Sequence, residues 1–331
     1  MPTDIEHVSI TTFGGPEVVK VTHSSLPDPP LKHVQIKVLY SGFAGSDINM
    51  RMGTYPMQKK APLTPGYCCV GTVHANGPGA NKFKVGDQVA CLTVYDSEAT
   101  YTNQPEKYLV PVPAGLDPKS ATALVLDWNT AYGMTKGKLS AGDKVFVHGM
   151  SGAVGYALMS LAKAAGAEVY GTASARNHQA IRDLGATPFE YRNKDWIQAM
   201  KDMGGVQAVY DPLGFESWDE SYSILSMKGG VLYGYGGNLA SLNGTEQRST
   251  VWPTVKLLAK NLKLCDRRTV FHYISRDQGS FEPNLKELFG MALEGKINVS
   301  IKRVLALDDV PTAHKEWTSM TGMGSVVVEI A

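Results

Sequence analysis

The sequence of 331 residues predicts an α/β fold, in which a doubly wound parallel sheet is inserted into a separate β-rich domain. Three observations predict it. Residues 1 to about 115 read as short strands broken by Gly/Pro turns. From about residue 118, apolar strands alternate with helix-sized segments. The segment SVVVEIA is a late strand that needs a partner, and the β-rich first domain is the simplest one.

In the first stretch, HVQIKVLYSG is a strand that stops near Gly42. CCVGTVHANGPGANKFKVGDQVACLTVY reads as strand, turn, strand. The dense prolines Pro27, Pro29, Pro30, Pro56, Pro62, Pro65 and Pro78 leave little room for helices. Asp117-Pro118 then opens a helix over KSATALVLDWNTAYGMTKG, with Asp as N-cap and Pro in the first turn. Strands follow at Lys144–His148, Glu168–Thr172, Gln207–Asp211 and Val231–Tyr235. Helices between them are expected at Ala153–Ala165, Asn177–Leu184 and Phe215–Met227, each followed by glycine. Strands separated by helices imply βαβ units and a parallel sheet. LKELFGMALEGKI is an amphipathic helix. The expected domains are 1–120 with 273–331, and 121–272.

Composition narrows the function. With 43% hydrophobic and 19% charged residues the chain can build a core, and disorder is excluded as its main state. Thirty-two Lys and Arg balance 31 Asp and Glu, giving net charge +1, so no basic excess points to nucleic acid or an anionic membrane. No apolar run reaches the length of a membrane span. MPTDIEHVSITTFGG lacks the basic and apolar regions of a secretory signal, and the four cysteines show no C-x-x-C spacing. The expectation is a cytoplasmic protein with reduced thiols.

The most informative segment is KVFVHGMSGAVGYALMSLAKAAGAEVYGTAS. A strand runs into Gly149-x-x-Gly152-x-x-Gly155 and a helix follows at once. Gly155 lets helix and strand pack closely, and Gly152 lets backbone approach a pyrophosphate seated on the helix N-terminus. The backbone of Gly149, Ser151, Gly152, Ala153, Val154 and Gly155 is therefore the expected dinucleotide cradle. Position 150 is Met, so the strict G-x-G-x-x-G pattern is not met. The second strand ends at Gly171-Thr172 with no carboxylate to bind a ribose 2′-OH, and Glu168 lies at its other end. A hydroxyl and a guanidinium, Ser174 and Arg176, suit a 2′-phosphate instead, which favours NADP(H).

These residues carry a resemblance. Phe13–Val18 (FGGPEV), Gly42–Tyr55 (GFAGSDINMRMGTY), Pro65-Gly66, Lys84–Val89 (KVGDQV) and Thr130-Ala131-Tyr132 occur in order with the glycine loop, Leu184-Gly185-Ala186, Tyr191-Arg192, Asp211–Gly214 (DPLG) and Gly229-Gly230. The chain resembles the zinc-independent quinone oxidoreductase and enoyl reductase branch of the medium-chain dehydrogenase/reductase superfamily over nearly its whole length. The resemblance implies a GroES-like β-rich catalytic domain with a Rossmann domain inserted into it, and NADPH as coenzyme. Ser174, Arg176 and Tyr191 would lie near the 2′-phosphate and Thr130 near the nicotinamide. His178 stands where relatives often carry Lys. Tyr235 and Phe271 join the expected coenzyme set. The resemblance also implies a homodimer formed by edge-to-edge pairing of a strand at Leu262–Phe271.

The positions where the metal-dependent branch ligates zinc read Ala44, Tyr67 and Cys68, so no metal is expected. Without a Lewis acid, reduction of a conjugated C=C or a quinone is the expected reaction, with an enone or quinone as substrate. An enoyl reductase of secondary metabolism is one form of it. Asn49, Tyr67 and Asp127 are the candidate catalytic residues: Asn49 and Tyr67 as hydrogen-bond donors, Asp127 as an acid if buried. Tyr55, Trp128 and Tyr273 are candidate walls of a substrate pocket. Cys68 reads better as buried packing than as a nucleophile. A non-reductive cyclase or isomerase on the same coenzyme, or a non-enzymatic nucleotide-binding protein, remains open at this point.

Overall fold

A computed structural model describes every residue except Met1, Pro56, Met57, Gly244, Glu246, Gln247 and Ala331. Pro56 of the proline-rich stretch and Ala331 of the final strand segment thus lie outside the described residues. The chain forms two compact units. The first is Met1–Asn129, Ser275–Thr321 and Ser325–Ala331; the second is Thr130–Ile274 with Gly322–Gly324.

In the first unit, β1 (Thr3–Ile10) and β2 (Val19–Leu26) pair antiparallel. Next come β3 (His33–Phe43), β4 (Cys69–Asn76), β5 (Gln88–Cys91), β6 (Tyr101–Pro105) and β7 (Leu109–Pro111). Alternation along β3 sends Val34, Ile36 and Val38 to one face. There they pack with Cys69, Val73, Val89, Cys91 and Leu109. The segment after Pro118 is not one helix. It is helical over Pro118–Ala123, makes a π-helical turn over Leu124–Trp128, and resumes over Asn129–Thr135. The Asp117 carboxylate caps its start by accepting from Lys119 N and Ser120 N. Because Pro118–Ala123 packs on β3 and β4, the first boundary falls after Asn129 rather than after residue 120.

In the second unit, β8 (Lys144–Val147), β9 (Glu168–Ala173), β10 (Thr187–Glu190), β11 (Ala208–Asp211), β12 (Val231–Gly234) and β13 (Arg268–Phe271) form one parallel sheet. Its order is β10-β9-β8-β11-β12-β13. Strand order reverses between β8 and β11, the place where such sheets bind dinucleotides. Phe146, Trp196, Met200, Val209, Trp218 and Leu257 fill its core.

Three sequence expectations need correction here. The helix expected over Phe215–Met227 covers only Glu216–Ser223: Phe215 takes a positive φ of 56°, and at the other end residues 224–226 turn to bond the backbone of Val206. Strand β10 and the helix Asp195–Asp202 were not foreseen. The strand expected over Leu262–Phe271 is only Arg268–Phe271. Its first part is a loop, because the Asn261 side chain grips Thr269: Nδ2 donates to Thr269 O (2.9 Å) and Oδ1 accepts from Thr269 N (2.8 Å).

Last, β14 (Ile301–Ala306) and β15 (Ser325–Glu329) return to the first unit, giving the order β14-β15-β3-β4-β5-β7 with β6 on β3. The late strand β15 pairs antiparallel with β3. Among the described residues, no helix is long and apolar enough to cross a membrane.

Candidate active site

The glycine loop sits at the C-terminal end of β8. Gly149 is left-handed (φ 69°), a conformation other residues adopt at a cost. Its carbonyl accepts from Gly152 N at 2.9 Å. A Cβ on Gly155 would lie 2.1 Å from that same carbonyl oxygen, so only glycine lets the helix approach. Met150 is buried beside Gly171 of β9, where a Cβ would stand 2.9 Å from its Cγ. The glycine on β9 thus makes room for the methionine that breaks the G-x-G pattern. Helix Ala153–Ala164 begins at Gly152 with no capping side chain, leaving its first-turn N–H groups for an anion.

A buried polar chain underlies this loop. Asp211 Oδ2 accepts from Ser217 and Ser221, each at 2.7 Å, and Oδ1 accepts from Leu213 N. Since Ser221 donates to Asp211, its oxygen accepts from His148 Nε2 (2.9 Å). Nδ1 is then the acceptor facing Thr172 Oγ1 (3.5 Å), which itself accepts from Gly149 N (3.1 Å). Burial lowers the His148 pKa, with Asp211 opposing, so the imidazole is neutral and its tautomer follows from the count of donors.

At the outer end of β9, Ser174 is extended and Ala175–Asn177 forms a 3₁₀ turn. Arg176 and Tyr191 are exposed. The Arg192 guanidinium donates to Tyr191 Oη at 3.1 Å. The His178 ring bonds Ala173 O at 3.1 Å, so it turns back to the backbone. Glu190, at the end of β10 and opposite Ala173 in register, accepts from Ala175 N at 3.1 Å. A carboxylate therefore does stand at this end of the sheet, brought by the neighbouring strand. Thr130 is buried and its hydroxyl has no partner among the described residues. Tyr235 N donates to Asp211 O at 3.1 Å, and Phe271 packs edge-on against Trp218. Tyr273 is partly exposed, at 37%.

In the first unit, β3 passes so close over Tyr67 and Cys68 that a Cβ on Gly42 would lie 2.8 Å from both the Tyr67 hydroxyl and the Cys68 Sγ. Cys68 is buried, with its thiol toward Thr122 O (3.6 Å) and its pKa pushed up by burial, so it packs. Asp127 sits in the π-helical turn, 2% exposed. Its Oδ2 accepts from Ser325 Oγ at 2.6 Å and its Oδ1 has no partner among the described residues. Burial raises its pKa to about 6, against the Ser325 bond. Burial, then the charge of Asp127, raises the Tyr67 phenol well above its ordinary value. Two further buried carboxyls lie close by. Asp47 accepts from Ala44 N and Gly66 N and is raised to about 7 by burial. Glu98 packs against Gly66, where a Cβ would lie 2.5 Å from the Glu98 amide nitrogen, and burial raises its pKa strongly. Asn49 lies on the helix Gly45–Arg51, where its carbonyl accepts from Thr54 N. Tyr55 meets Tyr95 edge-on at 5.8 Å.

Residues 30–115 match the alcohol dehydrogenase GroES-like domain and residues 153–289 the zinc-binding dehydrogenase domain. The quinone oxidoreductase of Rattus norvegicus is 31% identical over 234 residues, covering 68% of this chain and 71% of that protein. The chain belongs to the medium-chain dehydrogenase/reductase family. Another relative is the synaptic vesicle membrane protein VAT-1 homolog of Homo sapiens, 28% identical over 340 residues, covering 96% of this chain and 85% of that protein. Among solved structures, a mycobacterial protein complexed with NADPH superposes with a TM-score of 0.84 at 26% identity, covering 98% of this chain and 100% of that one.

For this medium-chain dehydrogenase/reductase chain, the structure brings together Gly149, Ser151, Gly152, Ala153, Val154 and Gly155 in one loop. It brings Ser174, Arg176 and Tyr191 to the neighbouring strand ends. Tyr67 and Asp127 come within electrostatic reach of each other. Trp128, expected on a pocket wall, is fully buried in the π-helical turn beside Asp127. Among the described residues, no three His, Cys, Asp or Glu side chains converge as a metal site. Sequence reasoning missed Glu190, Arg192 and Glu98. The first two follow from recognising β10; nothing local marks Glu98 within its loop.

Proposed function

We propose that this chain is an NADPH-dependent reductase of conjugated carbonyl compounds or quinones. The observation that carries the reading is the glycine loop: a left-handed Gly149, a Gly155 held against it, and an uncapped helix N-terminus at the switch point of the sheet. Relatives that are quinone oxidoreductases, and a similar protein solved with NADPH, support the choice of reaction and coenzyme.

The residues fit the coenzyme. Gly149, Ser151, Gly152, Ala153, Val154 and Gly155 would hold the pyrophosphate, and Ser174, Arg176 and Tyr191 the 2′-phosphate. The Thr130 hydroxyl, without a partner among the described residues, would serve the nicotinamide, with Tyr235 and Phe271 beside it. When bound, the dihydronicotinamide supplies a hydride to the electrophilic carbon of the substrate. Tyr67 and Asn49 donate hydrogen bonds to the substrate oxygen, where negative charge develops. Asp127, raised by burial to about 6, is protonated below that pH and in a minor fraction of molecules at neutrality, and that form gives its proton to the reduced substrate and regains it from water. Hydride plus proton add two hydrogens to the product. Tyr55 and Tyr273 contact the substrate. The working form is a homodimer paired through the free edge of β13.

The test incubates the protein with NADPH and a panel of enones and quinones, following loss of nicotinamide absorbance and product mass. Turnover with a gain of two hydrogens is expected. Binding of NADPH with no turnover of any conjugated acceptor overturns the reductase reading, and an unchanged product mass favours isomerisation.

A further inference from the structure

We propose that Glu190 sets the coenzyme choice of this chain, holding its preference for NADPH over NADH small so that both are accepted. The inference deepens the coenzyme reading above and rests on it. In a sheet of this order, the ribose carrying the 2′ substituent lies at the end of the second strand, here β9. The residues expected around the 2′-phosphate are Ser174, Arg176 and Tyr191, and the structure places the half-buried Glu190 among them. It immediately precedes Tyr191 in sequence. Its Oε2 sits 3.1 Å from the N–H of Ala175, the residue between Ser174 and Arg176.

Three effects follow from that one contact. The carboxylate occupies a backbone donor that a phosphate oxygen would otherwise take. Its negative charge opposes a dianionic 2′-phosphate, against the attraction of Arg176 and Arg192. With a plain ribose it offers the acceptor that a 2′-OH needs, the role a carboxylate plays in NAD sites. A like charge beside the 2′ position, at a half-buried site where solvent still screens it, changes affinity by roughly several-fold, enough to narrow a preference without abolishing it.

The experiment measures Kd for NADPH and NADH by calorimetry on the full chain, as wild type, Glu190→Gln, Glu190→Ser and Arg176→Ala. Glutamine keeps an acceptor for the Ala175 amide and removes the charge. Wild type is expected to bind both coenzymes. Glu190→Gln is expected to bind NADPH roughly three- to tenfold more tightly, with NADH within about twofold or weaker. Arg176→Ala is expected to lose NADPH affinity selectively. If wild type binds neither coenzyme, the coenzyme reading itself falls. If wild type binds NADPH and Arg176→Ala loses it, but Glu190→Gln leaves the ratio unchanged or lowers it, the Glu190 assignment alone is overturned. If both Glu190 variants fail to fold, Glu190 is a fold residue and the proposal is also overturned.

Discussion

Asp127 is a carboxyl placed where charge is costly. It is 2% exposed and, among the described residues, its carboxylate accepts a hydrogen bond from Ser325 alone. The fold therefore favours its neutral form, with a pKa near 6 against an ordinary carboxylate value, because of burial. For a group raised in the folded state, the contribution to stability is present at low pH. It fades as pH rises from the ordinary carboxyl range through about 6. Asp127→Asn keeps the acceptor for Ser325 and cannot ionise. Relative to wild type it is expected to gain about 1–3 kcal/mol between roughly pH 4 and roughly pH 8 in denaturant titrations. The same variant should lower the rate of enone reduction by tenfold or more with little change in NADPH affinity. A variant that loses stability at alkaline pH, or reduces as fast as wild type, contradicts the role given to Asp127. This residue was legible in the sequence because a charge interrupts the apolar run LVLDW. Glu190 was not, since its position depends on pairing of β10 with β9, and TPFE is too short and too poorly patterned to announce a strand.

The glycine loop shows how two glycines three residues apart answer to different physics. A methyl on Gly155 would strike the Gly149 carbonyl at 2.1 Å, whereas one on Gly152 meets only that carbonyl, at 3.3 Å. Gly155→Ala is therefore expected to destabilise the fold by about 1–3 kcal/mol, as overpacking does, and to lose coenzyme binding with it. Gly152→Ala is expected to keep its melting temperature within a few degrees while binding NADPH at least tenfold more weakly, because the methyl stands where the pyrophosphate must approach. Equal melting temperatures for both variants would refute this division. Long βαβ elements were legible because apolar strands and glycine-terminated helices alternate strongly. The π-helical turn was not: LVLDW keeps helical composition, and the extra residue in the turn leaves no mark in the pattern.

For the molecule as a whole, the second unit leaves an apolar surface uncovered. Val251, Trp252, Val255 and Leu258 on the helix Val251–Ala259 are exposed, as are Leu262 and Leu264 in the segment leading to β13 and Val270 on the free-edged β13 itself. An open sheet edge beside exposed apolar side chains is unstable against pairing, and a two-fold axis satisfies both at once. Wild type is expected to sediment as a dimer, and Val255→Asp combined with Leu264→Asp as a monomer; a dimeric double variant would rule this surface out. The two-unit organisation was legible in the change of texture near residue 118, but the exact boundary depended on Pro118–Ala123 packing against β3 and β4.

The placement of β15 beside β3 has a consequence for how the protein is made. The second unit is encoded almost entirely between Thr130 and Ile274, so its parallel sheet has all six strands once that stretch has left the ribosome. The first unit begins earlier in the sequence and finishes later: residues 40–43 of β3 keep an open flank until Ser325–Glu329 has been made. The part started first is thus the part that must wait, and a nascent-chain chaperone has its longest task at the flank of β3.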